Sequence, residues 1–82
     1  MMDALRNEPR AEEVTGNSEL SKREAEILTL FAKGMSYKET SDALNISTHT
    51  VGTHAKSIYN KLDVHSRNEA IFEALKLGWI SV

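Results

Sequence analysis

The chain has 82 residues, 40% of them apolar and 27% charged, with a formal net charge of -2 and no cysteine. That is room for one small domain and excludes a second, and it excludes a disulfide framework, a thiolate metal site and a cysteine nucleophile. No apolar run approaches the roughly 20 residues of a bilayer-spanning helix and no basic start precedes an apolar stretch, so the chain is expected to work in the cytoplasm without a membrane partner.

Residues 1–19, MMDALRNEPRAEEVTGNSE, hold the only proline and a net charge of -3. They offer too little apolar surface to repay ordering and are read as a tail or linker. A turn or two of helix around Met2 to Glu8 would stop at Pro9 and is marginal in water. The folded domain is then 20–82.

From Leu20 onward, helix punctuation dominates. Ser-x-x-Glu occurs at Ser21/Glu24, Ser36/Glu39 and Ser66/Glu69, the spacing at which a serine oxygen and a glutamate satisfy each other's unpaired backbone N–H groups. Ser47 is a fourth cap candidate, with Ile46 and Val51 at staple spacing. Gly34, Asn45 and Gly78 stand where a left-handed stop is wanted. The expected elements are Lys22–Lys33, Tyr37–Leu44, Thr48–Leu62 and Arg67–Leu77, an all-α, four-helix domain with no competing strand pattern. Helical periodicity assigns the core to Ala25, Ile27, Leu28 and Phe31, then Thr40, Ala43 and Leu44, then Val51, His54, Ala55, Ile58 and Leu62, then Ala70, Ile71, Ala74 and Leu75. Only Asn45, Ile46 and Ser47 separate the second and third helices, a connection short enough for a helix-turn-helix. Trp79 and Ile80 are expected to fold back over the core.

Charge is segregated. Residues 20–82 carry a net +1, and Ala43 to Leu62 contains no acid while holding Lys56, Lys61, His49 and His54. With Val51 facing the core, the opposite face of the third helix is His49, Thr53, Lys56, Ser57 and Asn60. Hydroxyl, imidazole, amide and ammonium groups without carboxylates suit base edges and phosphates. A polar face is more often simply solvated, and the short cap-turn-cap connection brings the DNA reading level with that one without deciding between them.

The strings LSKRE, GMSYKE, ISTHTVGTH and KLDVHSRNEA resemble the LuxR-type helix-turn-helix, including the output domains of NarL/FixJ response regulators, over about Leu20 to Ile80. The resemblance implies that the third helix reads DNA, the second crosses the DNA backbone and the fourth supplies a homodimer surface, weak without DNA. It implies phosphate or base contacts for Ser47, Thr48, Thr50, Thr53 and Lys56, and a phosphate contact for Lys38. The sequence departs from the family at Thr40-Ser41, where Ile-Ala is usual, and at Gly52, where lysine is usual. Two readings of Gly52 stand: a tolerated loss of that lysine, which is favoured, or a missing side chain that lets the helix sit closer to the bases.

Other chemistry is declined. His49, His54 and His65, five and eleven residues apart, do not share a helix face and offer no metal site. His54 belongs to the core side and His49 to the exposed one. No nucleophile-base-acid set and no glycine-rich phosphate loop is present, so neither catalysis, a cofactor nor a small-molecule ligand is expected. Phe72 lies off the core stripe beside Lys76, and the pair is assigned to the dimer contact. The resulting expectation is sequence-specific DNA binding, with Lys38, Ser47, Thr48, His49, Thr50, Thr53, Lys56 and Asn60 as contacts, in a response-regulator output domain or a naturally short regulator. The alternative is a helix-turn-helix used for protein docking, as sigma-factor region 4 domains hold RNA polymerase, which would then be a partner.

Overall fold

The structure is a computed structural model and describes residues 19–82. The tail assignment for residues 1–18, with its short helix, lies outside the described residues. Four helices follow in order, α1 (Lys22–Ala32), α2 (Tyr37–Leu44), α3 (Thr48–Leu62) and α4 (Arg67–Leu77), and no strand occurs among the described residues. The first helix stops one residue short of the sequence boundary.

Each helix begins where a serine oxygen accepts the N–H of its third residue, from Glu24, Glu39, Thr50 and Glu69. The capping box is reciprocal at Ser21 and Ser36. At α4, Glu69 accepts the backbone N–H of His65 instead of that of Ser66, one residue further out. The ends share one closure. Gly34, Asn45, Asp63 and Gly78 have φ of 93°, 58°, 57° and 75°. The next residue in each case, Met35, Ile46, Val64 and Trp79, donates its backbone N–H to the carbonyl five positions back. This arrangement occupies carbonyls that the helix leaves open and turns an apolar side chain back onto it.

α3 packs against all three other helices, and α1 also packs on α2 and α4. The core is Leu20, Ile27, Leu28, Phe31, Val51, Ala55, Ile58, Ala70, Ala74 and Ile80, with Trp79 packed against its edge. The expected fold-back of Trp79 and Ile80 is therefore observed. Two stripe assignments are corrected. Ala43 is exposed and Ser41 is buried, because the eight-residue α2 turns Thr40 and Ser41 inward and Ser41 ties its hydroxyl to the Lys38 carbonyl at 2.7 Å. Leu75 is exposed, since Ala70 and Ala74 bring α4 close along a narrower line. Thr40 is fully buried and its Oγ1 has no hydrogen-bond partner among the described residues.

Candidate nucleic-acid interface

The face of α3 opposite Val51, Ala55 and Ile58 presents His49, Thr53, Lys56 and Asn60 to solvent. No described acid pairs with Lys56. Thr53 Oγ1 donates to the His49 carbonyl at 3.1 Å, which seats that hydroxyl along the helix and leaves its oxygen lone pairs outward. Ser47 and Thr48 are exposed at the helix start, whereas Thr50 is half-buried and its Oγ1 lies 2.9 Å from Ser47 Oγ. Thr50 is thus engaged in shaping the turn. Lys38, on α2, is largely exposed and forms an ion pair with Asp42 at 3.2 Å. A pair this open contributes at most about 1 kcal/mol and is easily exchanged for another anion.

Ser57 departs from the expectation of a solvent-facing position. It is half-buried and donates to Glu24 Oε2, while Lys61 Nζ donates to Glu24 Oε1 at 2.7 Å. Glu24 itself is buried and also accepts the Ser21 backbone N–H at 2.9 Å. Burial pushes its carboxyl up, but the hydrogen bonds from Lys61, Ser57 and Ser21 outweigh that and hold it below the ordinary carboxylate range. The carboxylate stays charged and anchors α3 to α1. Sequence reasoning gave Glu24 only its local capping role. Its partners stand 33 and 37 residues away, and no local spacing signals such a contact.

The other flank of α3 meets α2 through Tyr37. The Tyr37 ring stacks on Phe31, with centroids 5.2 Å apart and planes 6° from parallel. A Cβ on Gly52 would lie 3.8 Å from Tyr37 Cε2, an ordinary contact. Tyr59, further along the same flank, is half-buried; desolvation and the neighbouring Tyr37 hydroxyl push its phenol up to about 12, so it stays neutral. Arg67 closes the cluster from α4, with its guanidinium 5.4 Å from the Phe31 ring centre and a hydrogen bond to the Met35 carbonyl at 3.0 Å. This aromatic brace was missed in the sequence, though Phe31 and Tyr37 flanking the short α1–α2 turn offered a hint.

On α4, Phe72 is 63% exposed, and Lys76 Nζ lies 5.8 Å from its ring centre. His54 is half-buried on the core side and His49 is exposed.

Residues 18–74 match the family model described as bacterial regulatory proteins, luxR family. The chain belongs to the luxR family. Over 64 residues it is 45% identical to the uncharacterized response regulatory protein YgeK of Escherichia coli K12, covering 78% of this chain and 44% of that protein. Over 63 residues it is 40% identical to the transcriptional regulatory protein DegU of Brevibacillus brevis, covering 77% of this chain and 27% of DegU. The solved structure of the transcription factor GerE superposes with a TM-score of 0.74 at 42% identity, covering 78% of this chain and 96% of GerE. The chain thus matches nearly all of GerE but less than half the length of those two curated relatives. These likenesses make it a LuxR-type helix-turn-helix domain of the kind found in bacterial transcription regulators. Among the described residues, no helix is long and apolar enough to cross a membrane.

Proposed function

We propose that this luxR-family domain binds a specific double-stranded DNA site as a homodimer, with α3 in the major groove. The observation that carries the reading is the exposed, acid-free strip of His49, Thr53, Lys56 and Asn60, centred on a lysine that no carboxylate among the described residues neutralises. A helix of 15 residues is about 22 Å long and fits the groove lengthwise. Ser47, Thr48 and Thr50 at its start meet the backbone, and Lys38 exchanges Asp42 for a phosphate. Phe72 and Lys76 form the two-fold contact, weak until DNA aligns two half-sites. The names of the relatives, a response regulatory and a transcriptional regulatory protein, support a role as the output domain of a response regulator or as a short regulator, for which the cytoplasm is the expected place; docking on RNA polymerase is the alternative use of the same helix-turn-helix.

Titrating the chain with a selected duplex and with random DNA at two salt concentrations tests this. Affinity should fall steeply with salt, and Lys56→Ala should reduce the slope by about 0.9 per subunit if it meets a phosphate. If Lys56 reads a base instead, the loss should be about 1–3 kcal/mol at one position of the site. Salt-independent affinity, or an unchanged Lys56→Ala variant, would overturn the interface. Phe72→Glu should weaken cooperative binding to a full site and leave half-site affinity and melting temperature near wild type.

A further inference from the structure

Gly52 lies inside α3, where a glycine costs about 0.5–1 kcal/mol relative to alanine. Two internal explanations for it fail. Its backbone is ordinary α-helix with no positive φ, and an added Cβ would meet nothing closer than the Tyr37 ring at 3.8 Å. The fold therefore has room for a side chain at this position and does not use it. What the absent side chain changes is the outer surface, at the margin of the polar strip one turn before Lys56.

We propose that Gly52 is a specificity-determining position: its bare α-carbon and the edge of the Tyr37 ring form a shallow apolar notch that receives the 5-methyl group of a thymine. The proposal rests on the DNA reading above. The notch has a rigid wall, because Tyr37 is stacked on Phe31, whose side chain is almost fully buried. The adjoining groups His49, Thr53 and Lys56 are polar and serve base edges and phosphates. Among major-groove features the thymine methyl is the one apolar group, and close backbone approach is what glycine permits. Of the two readings of Gly52 offered by the sequence, this takes the closer approach to the bases in place of the favoured tolerated loss: the usual lysine is exchanged for a shape contact.

The test uses the whole chain and its preferred duplex, selected from random DNA, with each thymine replaced in turn by deoxyuridine, which lacks only the methyl. Wild type should lose about fourfold in affinity at one thymine of each half-site, the value of one buried methyl-sized group. Gly52→Ala fills the notch. It should bind the thymine duplex more weakly than wild type by a similar factor, bind both duplexes equally at that position, and melt no lower than wild type. Indifference of wild type to every replacement, with preference for the selected site intact, would overturn the notch alone. So would a Gly52→Ala variant that keeps every thymine preference. Equal binding to selected and random duplexes would bring down the DNA reading and the notch together.

Discussion

Along the flank of α3 that faces α1, the contacts are polar and made by one buried carboxylate, with Glu24 holding Ser57 and Lys61. Along the flank that faces α2, they are aromatic and made by surface fit, with Tyr37 lying over Gly52 and stacked on Phe31. The polar flank is directional: its hydrogen bonds specify the rotation of α3 about its axis. The aromatic flank is tolerant and sets how closely α2 and α3 approach. Rotation decides which side chains face outward, so disturbing the two flanks should have unequal effects.

Breaking the polar flank should give the largest change. Glu24→Ala removes the partner of three donors and is expected to cost about 2–4 kcal/mol, enough to lower the melting temperature by more than about 10 °C. A loss below about 1 kcal/mol in thermal melts would mean that water replaces the carboxylate and the directional account fails. The same group gives a pH dependence. Because the folded carboxyl titrates below the ordinary carboxylate range, the unfolded chain binds more protons there. The stabilisation is present above the unfolded pKa and is lost as pH falls through it toward the lower folded value. Urea unfolding followed from neutral pH downward should show that loss, and Glu24→Gln should flatten it.

The α2 side can be sharpened instead of broken. Thr40→Val replaces an unpartnered, fully buried hydroxyl by a methyl of the same shape and is expected to raise stability by about 1–2 kcal/mol in urea titration. Destabilisation would show that Thr40 Oγ1 has a partner in solution. The smallest effect belongs to Gly52→Ala, a gain of about 0.5–1 kcal/mol from helix propensity, since the methyl group meets Tyr37 at an ordinary distance. A net loss would show that the Tyr37 flank is tighter than its geometry implies.

The helix boundaries were legible in the sequence because every start and most stops are encoded within five residues: Ser21, Ser36, Ser47 and Ser66 announce the starts, and Gly34, Asn45 and Gly78 announce the stops. Asp63 was not legible as a stop. Its left-handed backbone is a minority state for aspartate and is held by the Val64 N–H reaching the Tyr59 carbonyl. Ala43 and Leu75 misled because apolar character was taken as burial, whereas the short α2 and the alanine-lined approach of α4 decided which face turns inward. At the candidate interface, the outward direction of His49, Thr53, Lys56 and Asn60 followed from helical period alone. The inward turn of Ser57 did not, because it depends on a carboxylate far away in the chain.

The shared closure of the four helices also bears on the order of folding events. Each helix end is sealed by a hydrogen bond to a carbonyl five residues back, so most commitments made by the backbone need little loop-closure entropy. Helical domains built from such contacts typically fold in microseconds to milliseconds. The tie from Glu24 to Lys61 is of the opposite kind, spanning 37 residues, and is expected to form only after the rate-limiting barrier is crossed. Glu24→Ala, which removes it, should then speed unfolding by about 30-fold or more, since the whole loss of about 2–4 kcal/mol falls on that limb, while leaving the refolding limb of a chevron plot almost unmoved.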